Sequence, residues 1–132
     1  MNIYLDIDGV LLINETNTAL YSDELIQRVL EVYPDNVYWL TTHDWNGENN
    51  IEETFAPYLK PETAKLLHKI KSTKWQELKT DGIDFSKKFL WLDDDLWPEE
   101  LLALEKHNAT DNFIMIDLKK DPEQLKKITE LI

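Results

Sequence analysis

The chain reads as an α/β protein built around a doubly wound parallel sheet, and three features carry that reading. Short apolar runs recur at Ile3-Tyr4-Leu5, Val37-Tyr38-Trp39-Leu40, Phe89-Leu90-Trp91-Leu92 and residues 113–116. The segments between them show helical spacing of apolar residues or helix-start chemistry. Each of the first three runs empties into polar, chemistry-bearing residues rather than a two-residue hairpin turn. Strand and helix thus alternate, which implies parallel strands whose crossovers cover both faces of the sheet. A length of 132 residues suits one domain, residues 1–132, with a core that needs neither disulfides nor a structural metal.

In chain order, residues 2–6 form a buried strand, and residues 11–21 suit a small hairpin or flap around Asn14-Glu15-Thr16-Asn17. Ser22 reads as an N-cap, with Asp23 and Glu24 in the first turn and Leu25, Ile26, Val29, Leu30 and Tyr33 on one face. Pro34-Asp35-Asn36 ends that helix, and residues 37–40 make the second strand. After a polar loop at residues 43–50, helices are expected over 51–59 and 61–71, with Pro61 accommodated in a first turn. Residues 75–83 carry no clear pattern. The third strand is residues 89–92, Pro98 opens a helix reaching about Lys106, and residues 113–116 form the fourth strand. Asp121-Pro122-Glu123-Gln124 has the chemistry of a helix start, with a capping carboxylate, a proline at the first position and a glutamine behind it.

With 14 basic against 26 acidic residues, the formal charge is −12. Such a field repels polyanions, so non-specific binding to nucleic acid or to an anionic membrane is disfavoured. The absence of cysteine excludes disulfides, thiolate metal sites and cysteine nucleophiles. The chain enters a strand at once, without a signal-like segment, and no apolar run approaches bilayer length, so a cytoplasmic location is expected.

The carboxyl ends of the strands collect Asp6 and Asp8, Thr41 and Thr42, and Asp93-Asp94-Asp95. In an open α/β sheet this edge is where ligands bind. Asp-x-Asp-Gly alone serves turns and calcium loops equally well. Joined to a strand-terminal threonine and a strand-terminal acidic triplet, it describes a crowd of like charges that a cation would relieve. Oxygen ligands of this kind suit Mg²⁺, which commonly bridges protein and phosphate.

These residues resemble the haloacid dehalogenase (HAD) superfamily of phosphotransferases along nearly the whole chain. Residues 3–10 look like its first motif, an apolar strand ending Asp-x-Asp-Gly-Val, and residues 37–41 look like the second, ending in threonine. Lys79 is the candidate third motif, with Lys74, Lys87 and Lys88 as alternatives, and Leu90-Trp91-Leu92-Asp93-Asp94 looks like the acidic fourth. The resemblance implies a Rossmann-like three-layer fold of the compact, capless type. It also implies a Mg²⁺-dependent phosphatase: Asp6 attacks phosphorus and Asp8 acts as general acid and then base. Thr41, or Thr42 in the other register, would bind phosphoryl oxygens, and Lys79 would steady the charge on Asp6 and the phosphate. The metal would be held by Asp6, the Asp8 backbone carbonyl and Asp93, with Asp94 a further or water-mediated partner.

Neither residues 12–37 nor residues 43–79 have room for a full cap, so an open site and an accessible, even macromolecular, phosphomonoester are expected. Three alternatives stay on the table: a silent HAD-like module that binds metal or protein, a nucleic-acid end-processing phosphatase, and a receiver-like domain. Asp8 speaks for completed hydrolysis, because a receiver keeps its phosphoryl group. Among the remaining aromatic and imidazole residues, Trp39 and Trp91 fall inside apolar runs and read as core, and Trp97 reads as packing beside a helix start. His68 and His107 read as surface residues, and His43, Asp44 and Trp45 as ordinary loop packing near the pocket mouth.

Overall fold

The computed structural model describes residues 1–43 and 50–132. At its centre are the strands β1 (Asn2–Leu5), β2 (Val37–Trp39), β3 (Phe89–Asp93) and β4 (Phe113–Met115). All neighbouring strands are parallel, in the spatial order β2-β1-β3-β4. The helices are α1 (Ser22–Val32), α2 (Ile51–Thr54), α3 (Pro61–Ala64), α4 (Pro98–Lys106) and α5 (Gln124–Leu131). Among the described residues, no helix is long and apolar enough to cross a membrane.

Side chains alternate across a strand, and here both faces are apolar, which is why the strands read as continuous hydrophobic runs. Ile3, Leu5, Val37, Trp39 and Leu92 share a buried cluster with Leu25 and Val29 of α1 and Leu125 and Ile128 of α5. Tyr4, Phe89 and Trp91 join a second cluster with Leu104 of α4. Tyr4 stacks on Tyr38 at 5.4 Å between ring centroids, and its hydroxyl accepts the Asp84 N–H at 3.0 Å. The Trp91 indole Nε1, fully buried, has no hydrogen-bond partner among the described residues.

Register positions the chemistry. Leu5 of β1 lies opposite both Trp39 and Leu92, so the residue after β1 emerges beside the end of β3. The Asp6 N–H donates to the Leu92 carbonyl at 3.1 Å, and the Ile116 N–H donates to the Asp93 carbonyl at 2.8 Å. From β1 the chain crosses to β2 on one side, and it then returns past β1 to β3 on the other. The adjoining carboxyl ends of β1 and β3 therefore flank the point where the strand order reverses, where open α/β sheets form their crevice.

The expected flap over residues 11–21 is present: Leu12 and Thr18 form an antiparallel bridge, the Ile13 N–H donates to the Asn17 carbonyl at 2.9 Å, and the Asn14 side chain accepts the Thr16 and Asn17 N–H groups in the turn. Several local elements differ from the sequence reading. Ser22 is not the cap of α1. It is already helical, with Tyr21 before it at φ 68°, and its hydroxyl donates to the Leu11 carbonyl at 2.8 Å, tying the helix to the flap.

The two helices expected over residues 51–71 are instead α2, a 3-10 turn at Ala56–Tyr58, α3 and a 3-10 turn at Leu67–Lys69. Proline explains the first breaks. Pro57 lacks the N–H that would continue α2, while the expected boundary at residue 60 holds, Lys60 being extended at ψ 148° before Pro61. Helix α5 starts at Gln124, because the Gln124 side chain is engaged with the end of β4, accepting from the Asp117 N–H and donating to the Met115 carbonyl, both at 2.8 Å.

Candidate functional site

The sheet edge opens into a cavity of about 680 Å³ whose floor includes Asp6, Lys79, Asp93 and Asp94. Asp6, Asp93 and Asp94 each offer a carboxylate oxygen, and the three atoms lie within 4.8 Å of one another. Gly9 makes this approach possible. It adopts φ 81°, and a side chain there would collide with the Asp94 carboxylate.

Lys79 enters from a 3-10 turn, Lys79–Gly82, and its ammonium donates to Asp93 Oδ2 at 2.7 Å while lying 3.6 Å from Asp6 Oδ1. It is thus closer to Asp93 than to Asp6. Thr41, buried after β2, hydrogen-bonds the Asp6 carboxylate and accepts the His43 N–H at 3.1 Å. Thr42 is exposed and lines the cavity. Of the alternative lysines, Lys74, Lys87 and Lys88 are all exposed, and none of them lines this cavity.

Burial governs ionisation here. Asp93 is pushed up to about 7, first by burial and then by the Asp6 charge, against the opposing pull of Lys79. Asp6 is also raised, its burial outweighing Lys79, the Thr41 hydroxyl and the shared hydrogen bond with Asp93. Burial and Asp93 raise the more exposed Asp94. Lys79 suffers from burial too, yet Asp6 and Asp93 together lift it above the usual lysine value. One ammonium among three carboxylates leaves net negative charge in a partly desolvated place. Hard oxygen donors under that strain match a small divalent cation.

Asp8 stands apart from this floor. Its exposed carboxylate faces His43, with Nδ1 at 3.2 Å from Oδ2, and it does not join the three-carboxylate cluster. His43, read from sequence as loop packing, thus contacts a residue that lines the cavity without lining it itself. Asp44 and Trp45 lie outside the described residues.

Glu100 is a second residue that the sequence reading missed. Buried at the third position of α4, it accepts the Trp97 N–H on Oε1 at 3.0 Å and the Lys79 N–H on Oε2 at 2.9 Å. A glutamate three residues after a cap was visible in the sequence as helix-start chemistry. Its second bond, to Lys79 twenty-one positions earlier, was not. Trp97 also departs from expectation: it is 53% exposed at the cavity rim, with its indole Nε1 donating to Asp95 Oδ2 at 3.1 Å. Trp39 and Trp91 are core residues, while His68 and His107 are exposed, His107 stacking on Phe85.

No family model, curated protein or solved structure matches the chain.

Proposed function

We propose that this chain is a Mg²⁺-dependent phosphomonoester hydrolase of HAD type, with a three-layer, doubly wound Rossmann-like fold and no large cap. The observation that carries the proposal is the convergence of Asp6, Lys79, Asp93 and Asp94, from two strand ends and one turn, on a single cavity, with Thr41 buried behind Asp6. Three carboxylate oxygens this close suit Mg²⁺, which Asp6, Asp93 and Asp94 would hold, together with the Asp8 backbone carbonyl. When bound, the ion would keep Asp6 ionised and polarise the phosphoryl oxygens.

Asp6, fixed by Thr41, attacks phosphorus, and the bond from phosphorus to the ester oxygen breaks. Asp8, outside the buried cluster and reachable from solvent, gives its proton to the departing oxygen. The aspartyl phosphate on Asp6 is then attacked by water as Asp8 takes the water proton, and phosphate leaves with Asp6 restored. His43, 3.2 Å from Asp8, orients that carboxylate. Lys79 offsets the negative charge of Asp6 and of the phosphoryl oxygens, and Glu100 fixes the backbone from which Lys79 reaches.

The test is hydrolysis of phenyl phosphate with Mg²⁺ or with EDTA, by the native chain and by Asp6→Asn and Asp8→Asn. Metal-dependent turnover lost in both variants is expected. Metal binding without turnover would leave a binding module, and a stable phosphoryl group on Asp6 would leave a receiver-like domain.

A further inference from the structure

The cavity is far larger than a phosphoryl group needs and falls in the range of pockets that enclose a whole small ligand. Away from the carboxylates its wall combines Trp75, Trp97 and the flap residue Ile13 with the uncharged polar Thr42 and Gln76. Trp97 is the informative member. An indole more than half exposed beside a charged cleft is normally free to turn. Here the Asp95 carboxylate holds its N–H at 3.1 Å, and Glu100 fixes its backbone at 3.0 Å. The same Glu100 carboxylate fixes the Lys79 backbone at 2.9 Å, so the ring and the phosphate-facing ammonium are referenced to one buried group. A ring pre-set in this way presents a π-face at low entropic cost.

Charge narrows the class further. Asp8, Glu77 and Asp95 also line the cavity, and the chain as a whole carries −12. A second phosphate or a polynucleotide end would meet repulsion that one metal ion and one lysine would not offset.

Resting on the phosphatase reading above, we infer that the substrate is a small phosphomonoester whose alcohol carries a flat, neutral or cationic ring, stacked on Trp97, and no second anionic group.

The experiment separates binding from turnover. Phenylphosphonate and methylphosphonate, which cannot be hydrolysed, are titrated into the native chain with Mg²⁺, and phenyl phosphate and glycerol phosphate are assayed for release of phosphate. The aryl probe is expected to bind about tenfold more tightly than the methyl probe, the usual scale of one ring stack. Trp97→Leu should reduce that preference to about threefold or less, and Trp97→Phe, which keeps a π-face but loses the bond to Asp95, should fall between the two. The Glu100 bond uses the backbone N–H of residue 97, so both variants keep it, and circular dichroism checks the fold. Equal binding of the two phosphonates, or a preference unchanged in Trp97→Leu, overturns the inference even when both esters are hydrolysed. A Trp97-dependent aryl preference with no hydrolysis of either ester supports the ring site and rejects the phosphatase.

Discussion

The floor and the rim of the cavity use the same residue type to opposite effect. On the floor Asp6 and Asp93 are almost wholly buried, crowd each other and lean on Lys79, and both hold their protons more tightly than ordinary carboxylates do. At the rim Asp8 is exposed and bonded to His43, and Asp95 is spent on the Trp97 indole. Position relative to solvent, more than identity, divides the work. Buried carboxylates store unfavourable charge that a cation or phosphoryl transfer can use, whereas exposed ones exchange protons or orient neighbours.

The largest expected effect tests the floor. Asp6→Asn keeps the shape and removes the nucleophile, so turnover should fall on the order of 10⁴-fold or more while the thermal melt survives. Retained turnover would assign the chemistry elsewhere. Asp8→Asn tests the rim and should lose about 10²- to 10⁴-fold, the range for a general acid and base, with Mg²⁺ affinity little changed. A matching loss of metal affinity, read by calorimetry, would erase the distinction between rim and floor.

Glu100→Ala strips two backbone N–H groups of their acceptor, including that of Lys79. Unfolding stability should drop by about 1–3 kcal/mol, read by urea denaturation. Gly9→Ala forces a side chain into the Asp94 carboxylate at a positive φ. It should cost about 1–2 kcal/mol and weaken Mg²⁺ binding in calorimetry.

The pH dependence of stability gives the finest test of the floor. Burial and the Asp6 charge push Asp93 up to about 7 in the folded chain, well above an unfolded aspartate near about 4. Between those values the folded chain binds more protons than the unfolded one, so metal-free stability falls as pH rises through this window and levels off above it. The raised values of Asp6 and Asp94 act in the same direction. The metal-free melting temperature should therefore be higher at about pH 5.5 than at about pH 8, by on the order of 5 °C. Asp93→Asn should flatten most of that slope. A melting temperature that climbs toward pH 8 without metal would contradict the crowding on the floor.

What the sequence made legible follows the range of the interactions. Strands flanked by helices on both faces announce themselves as apolar runs, and Asp6, Thr41 and Asp93 were visible because a strand end is a local event. Lys79 could be singled out among its neighbours only through the resemblance, and the fold brings it to the acids while Lys74, Lys87 and Lys88 stay exposed and off the cavity wall. The boundary at Lys60 was legible from Pro61, whereas the break at Pro57 was not, because helical apolar spacing continues through it. The bonds from Asp8 to His43 and from Glu100 to Lys79 join residues far apart in sequence and leave no periodic trace.

Strand order carries a consequence for synthesis. Asn2 pairs with Phe89 and Leu5 with Leu92, so β1 must wait for a strand made much later before either is fully sheltered. Until Asp93 and Asp94 have cleared the ribosome, β1 is an apolar strand without its β3 neighbour. Pairings of such sequence separation form slowly and leave unpaired strand surface exposed to aggregation in the meantime.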